Sequence, residues 1–282
     1  MLYIENRDLD KVAAAEIALL KVMVNSLPTY VEKVAAAKKQ WEEKLNTVAR
    51  KKAFELIRST LAEMCVGSVR CSYCEDSLAD EVEHILPKNF FPELAFDWDN
   101  YLFACGPCNS PKSNRFGVVA NGQVNEHFRG KKDPIVPPPY GISALINPRI
   151  EDPCELLELD LGGVTPQGQV LSGTFQFVPR SGISKSEEER VLFTIDVLGM
   201  NREVVRAARQ NAFGGYRARL VEYVKERNAG ATQQQLQILK EDILNAPHLT
   251  VFSEMRYQRS WLPEIDRLLN SAPEVIGWKI TV

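Results

Sequence analysis

Cys71-Ser-Tyr-Cys74, then 30 residues, then Cys105-Gly-Pro-Cys108 is the stretch that decides how this chain is read. Two Cys-x-x-Cys pairs at this distance can supply four thiolates to one tetrahedral zinc ion. Each pair makes a knuckle offering two sulfurs, so the interval between them becomes a loop pinned at both ends. Four sulfur ligands leave no open coordination position, and the predicted zinc is structural. In a reducing compartment such pairs read as metal ligands before disulfides. The two other cysteines, Cys65 and Cys154, stand alone and read as plain buried residues.

The surrounding composition narrows the class. With 45% apolar and 25% charged residues over 282 positions, the chain is neither disordered nor a membrane protein in type. The N-terminal Met-Leu-Tyr-Ile-Glu-Asn-Arg-Asp-Leu-Asp has no basic segment followed by an apolar stretch, so no secretory signal is visible. No run approaches the roughly 18 apolar residues of a membrane span. A cytoplasmic protein with no membrane association is expected. The net charge is −3, and residues 67–133 hold 7 Lys/Arg against 10 Asp/Glu. That balance counts against tight non-specific nucleic-acid binding by the chain alone. It also disfavours a plain zinc-finger binder, which would carry a basic helix.

Outward from the cysteines, residues 9–25 are rich in helix formers without Gly or Pro, and Ser26 and Pro28 break the pattern. From Thr29 to Cys65 apolar residues recur at three- and four-residue spacing, which predicts one long helix or two shorter ones, with Gly67 as a stop. Lys131–Gly141, with Pro134 and Pro137–Pro139, reads as an extended connector. Leu156–Val178 alternates short apolar runs with glycines, the pattern of hairpins. Ser186-Glu-Glu-Glu189 resembles a capping box. Helical patterns follow at about 187–198, 201–228, 232–245, 250–259 and 262–270. The predicted architecture is α+β: mainly helical, with a metal-held core and a short β segment. Its regions are 1–66 (helical), 67–133 (core) and 134–282 (β-hairpin segment and helices).

The pinned loop carries the chemistry. It contains Glu83-His84-Ile-Leu-Pro-Lys88 and Phe96-Asp-Trp-Asp-Asn100-Tyr, and it closes on Cys108-Asn109-Ser-Pro-Lys112-Ser-Asn114-Arg115. These residues resemble the HNH, or His-Me finger, endonucleases, in the subgroup buttressed by a cysteine quartet. The family has an acid-His pair ending a first strand, a middle Asn in the hairpin loop, and a His or Asn on the following helix. Glu83-His84, Asn100 and Asn109 stand in that order. Phosphodiester hydrolysis needs a base that works near neutral pH, which suits the His84 imidazole. It also needs a cation to neutralise the phosphate. The resemblance implies a ββα-metal core over 67–133 in which Glu83 and the Asn109 side-chain oxygen hold an Mg²⁺ or Mn²⁺ ion, and Asn100 braces the hairpin. Lys112 and Arg115 are candidates for phosphate contacts. Glu83 stands where the family more often has Asp or His. Asn114 is the alternative to Asn109 if the register differs. The aromatics Tyr73, Phe90, Phe91, Phe96, Trp98, Tyr101 and Phe103 read as local packing.

A closer resemblance adds Cys74-Glu75, Pro92-Glu-Leu and, more loosely, Asn147–Pro153, Thr194–Asn201 and Thr250–Arg256. These are similar to the HNH subunit of Septu-type and retron-associated anti-phage systems, whose nucleases are held in check and directed by a partner ATPase. That implies a DNA endonuclease, with RNA the less favoured substrate, acting with a partner protein that brings the nucleic acid. The competing reading is a zinc-stabilised nucleic-acid- or protein-binding adaptor whose nuclease motif is inert.

Overall fold

Three helices open the chain in the computed structural model, which describes residues 1–65 and 67–280. α1 (Lys11–Asn25) begins where the Asp10 side chain accepts the amide of Val12, and it buries Ala13, Ile17, Leu20 and Val24, one face of the helix. The long periodic run divides in two, as α2 (Tyr30–Glu42) and α3 (Val48–Glu63). Thr29 and Glu32 cap α2 reciprocally, and Thr47 accepts the amide of Arg50 to start α3. A capping threonine is therefore what divides the run, with no Gly or Pro needed.

The pinned loop folds as β1 (Glu81–His84) and β2 (Tyr101–Ala104), antiparallel, with Glu83 opposite Leu102 and His84 opposite Tyr101. The short helix α4 (Gly106–Lys112) follows, completing the ββα unit. Next comes a hairpin that hydrophobic periodicity alone does not reveal. β3 (Phe116–Ala120) and β4 (Gln123–His127) join through Asn121-Gly122, both at positive φ. An Asn-Gly pair between short apolar runs is a strong local hairpin signal, and it was there to be read. After the extended connector, β5 (Ile142–Ser143) adds to the other side of β3. The glycine-rich segment forms two antiparallel pairs, β6 (Leu157–Leu159) with β9 (Phe177–Pro179), and β7 (Gly162–Val164) with β8 (Val170–Ser172).

Among the described residues, five α-helices follow: α5 (Lys185–Leu198), α6 (Glu203–Asn228), α7 (Gln233–Leu244), α8 (Leu249–Tyr257) and α9 (Pro263–Ser271). The cap of α5 lies two residues before the expected Ser186, where Ser184 and Glu187 bond reciprocally. One apolar cluster joins α1 and α3, the cysteine knuckles, β2 and the C-terminal helices. Among the described residues, no helix is long and apolar enough to cross a membrane.

The C-terminal motifs singled out in the sequence act as fasteners of the ββα unit and its neighbours. Buried Arg149 donates to the carbonyls of Trp98 and Tyr101 and to Asn6 Oδ1, locking the entry to β2. Asn201 brackets β9, taking the Phe177 amide and giving to its carbonyl, each at 2.8 Å. Thr250 gives its amide and hydroxyl to the buried Glu75 carboxylate beside the first knuckle.

Candidate active site and metal centre

The four predicted zinc ligands converge. The Sγ atoms of Cys71, Cys74, Cys105 and Cys108 all lie within 4.8 Å of one another, and all four residues are buried. Cys74 Sγ and Cys105 Sγ are 3.8 Å apart. Sulfurs about 2.3 Å from a tetrahedral zinc stand about 3.8 Å from each other, so the donor set fits this ion. Disulfide sulfurs would be about 2 Å apart. Cys65 and Cys154 stand outside the quartet, and burial pushes each of their thiols up to about 12.

The second knuckle is completed from far along the chain. Pro111 has no N–H to offer the carbonyl four residues back, that of Pro107. Arg202 Nη1 donates to that carbonyl at 2.9 Å, and Arg202 Nη2 reaches Cys108 Sγ at 3.5 Å. Gly199 ends α5 at φ +56°, and a Cβ there would stand 2.9 Å from Arg202 Nη1. Arg202→Ala is expected to weaken zinc retention by about 10- to 100-fold, the range for partners that orient metal ligands. Competition with a chromophoric chelator measures this, and unchanged retention would show that Arg202 only packs.

His84 ends β1 and is 5% exposed. Its Nε2 lies 2.9 Å from the carbonyl of Ala95. A carbonyl can only accept, so Nε2 carries the proton and Nδ1 keeps its lone pair. The ring also sits edge-on to Trp41, 4.2 Å between centroids. Burial, with the charges of Lys88, Lys112 and Lys44, holds the imidazole well below its ordinary range and therefore neutral. His84 lines a cavity of about 180 Å³ together with Trp41, Glu83, Lys88, Asn109 and Asn114.

Glu83 reaches the same cavity, and burial raises its carboxyl against the pull of Lys112 and Lys88. Lys112 Nζ approaches Oε1 as a charge contact without the alignment of a hydrogen bond, and donates to the His84 carbonyl at 2.7 Å. Asn109, on α4, gives its Nδ2 to Glu81 Oε2 at 2.6 Å, which leaves Oδ1 without a hydrogen bond among the described residues. Asn100 lies outside this cavity and braces the loop: it accepts the Leu86 amide at 2.8 Å and donates to the carbonyls of Leu86 and Leu94.

The two candidates for phosphate contacts both have partners within the protein. Lys112 is fully buried under the site, held by Glu83 and the His84 carbonyl. Arg115 pairs with Glu126 across the β3–β4 hairpin and with Asp196 at 2.6 Å. Both cations are consumed by neighbours that the linear sequence does not reveal. Asn114 lines the cavity but gives its Nδ2 to the Arg129 carbonyl at 2.7 Å. His127 packs against Phe116, and His248 stands 3.3 Å from Asp76, so neither belongs to this site.

Sequence reasoning missed Trp41, Glu81, Lys88 and Arg202. Glu81 and Lys88 flank the Glu83-His84 motif and were within reach of a closer reading. Trp41 and Arg202 lie in helical regions where nothing in the local sequence separates them from packing and solvated residues.

This arrangement defines a class. Residues 71–115 match the HNH endonuclease family, and they contain both cysteine pairs, the two strands and α4. The chain thus carries an HNH domain. It is also similar to the Septu protein PtuB of Bacillus thuringiensis, 34% identical over 87 residues. That likeness covers 29% of this chain and 28% of the length of PtuB.

Proposed function

We propose that the protein is a metal-dependent HNH endonuclease that hydrolyses phosphodiester bonds of DNA, with RNA the less favoured substrate. One observation carries the reading: a tautomer-fixed His84, Glu83 and Asn109 line one cavity beside a cysteine quartet. His84 Nδ1 takes the proton of the attacking water as the new P–O bond forms, and the 3′-oxygen leaves with a proton from solvent. Burial of His84 keeps that nitrogen unprotonated. Glu83 Oε2 and Asn109 Oδ1 are the hard oxygens suited to an Mg²⁺ or Mn²⁺ ion, with water and phosphate filling the rest. Such an ion would neutralise the phosphate. Asn100 sets the pitch of the loop, and Lys112 orients Glu83 and the His84 backbone. The partial likeness to a Septu protein supports a cytoplasmic anti-phage effector acting with a partner ATPase.

The reading is tested on plasmid DNA and structured RNA, with Mg²⁺ or Mn²⁺, with and without a candidate ATPase. Glu81→Ala frees the Asn109 amide to rotate, and the divalent-ion concentration for half-maximal nicking is expected to rise about tenfold or more. An unchanged midpoint removes Asn109 from the ligand set. The alternative adaptor reading draws on the Lys112 ammonium already neutralising Glu83. It predicts intact zinc and folding, binding of nucleic acid or a protein partner, and no cleavage under any divalent ion.

A further inference from the structure

The acidic balance of the HNH segment leaves the grip on substrate unexplained, since Lys112 and Arg115 are both consumed by neighbours. Part of the missing charge lies outside that segment. Residues 30–63, from the start of α2 to the end of α3, hold 8 Lys/Arg (33, 38, 39, 44, 50, 51, 52, 58) against 5 Asp/Glu (32, 42, 43, 55, 63). α2 is also the element that delivers Trp41 to the cavity.

Two ammonium groups meet on that indole. Lys44 Nζ stands 4.6 Å and Lys88 Nζ 5.5 Å from the centre of the Trp41 ring. Lys88 also lines the cavity, facing Glu83. Neither lysine has a salt-bridge partner among the described residues, although both are partly buried. Lys44 donates only to the Trp41 carbonyl, at 3.2 Å. Cations without an ion-pair partner, one lining the cavity and the other sharing its indole, suit a polyanion.

We infer that Trp41 and its two lysines supply the substrate grip: Lys44, in the turn between α2 and α3, and Lys88, in the HNH segment, both over the Trp41 ring, bind the phosphodiester backbone of the nucleic acid beside the His84 cavity. This rests on the nuclease reading for its orientation, because the backbone they hold is the one presented to His84. Trp41 is a positioning residue that fixes both ammonium groups and the imidazole.

The experiment uses the full-length protein and a fluorescein-labelled DNA duplex, with an RNA duplex in parallel, without divalent ions. Anisotropy is read across about 50 to 200 mM salt. Two lost phosphate contacts, at about 0.9 each, lower the salt slope of log Kd by about 1.8 in Lys44→Ala/Lys88→Ala. The affinity deficit is then about 12-fold larger at 50 mM than at 200 mM salt. Lys44→Arg/Lys88→Arg restores the slope, and Lys225→Ala, on α6, leaves it unchanged. A slope and Kd equal to wild type in the double alanine variant, or no binding by wild type at the lowest salt, overturns the inference. A nicking assay on the same proteins separates it from the nuclease reading. Loss of slope without any nicking by wild type keeps the grip and removes the nuclease. Nicking that depends on His84, with an unaltered slope, does the reverse.

Discussion

Replacing His84 by alanine is expected to lower the nicking rate by about 10²- to 10⁴-fold, the contribution of a positioned general base. The effect is large because no second imidazole is near: His127 and His248 lie elsewhere. The Ala95 carbonyl fixes the tautomer, so His84→Gln, which keeps polarity and volume but has no basic nitrogen, should be as inactive. The pair of variants also guards against misfolding, since His84 packs on Trp41 and Tyr101. The pH profile gives an independent signature. A depressed pKa means the base form persists to lower pH, so the acid limb of kcat/KM falls below the ordinary imidazole value near 6.5. A bound cation would push the limb in the same direction. Metal-dependent nicking by the folded alanine variant at near wild-type rate would end the role given to His84.

Loss of the zinc site is expected to be the most damaging change to stability. Cys105→Ser removes one sulfur from a quartet that ties β1, β2 and α4 together at both ends. Structural zinc contributes about 10–16 kcal/mol in small zinc-finger peptides, where the metal is nearly the whole core. Here the knuckles share a core with α1, α3 and the C-terminal helices, so the effect on the chain is smaller, on the order of 5 kcal/mol. At roughly 2–4 °C per kcal/mol, the melting temperature falls by about 10–20 °C. Far-ultraviolet circular dichroism should keep most of its helical signal below that transition, because among the described residues every α-helix but α4 lies outside 71–115. Elemental analysis should find one zinc per chain in wild type. A metal-free wild-type protein purified under reducing conditions, with an unaltered melting curve, would contradict this.

Much of the site was legible because its signals are short and local. Two Cys-x-x-Cys pairs specify a four-sulfur cage whatever the rest of the chain does, and Glu83-His84 sits between them at the end of a strand. The helices were equally readable from their periodicity. Boundaries slipped where two caps compete, as at Ser184 and Ser186, because either serine is followed three residues later by a glutamate. The β3–β4 hairpin has its local signal in Asn121-Gly122, outside the periodic runs.

The sequence by itself determined the metal cage, the ββα unit and the order of the polar residues on it. Covalent spacing dictates which sulfurs reach one ion and which side chains alternate across a strand. Only the tertiary structure decided which charges are spent and which are free. Lys112 is buried against Glu83, Arg115 is tied to Glu126 and Asp196, and Lys44 and Lys88 meet on Trp41. A charge acts through its spatial neighbours over a few ångströms, and here several of those neighbours lie dozens of residues away along the chain.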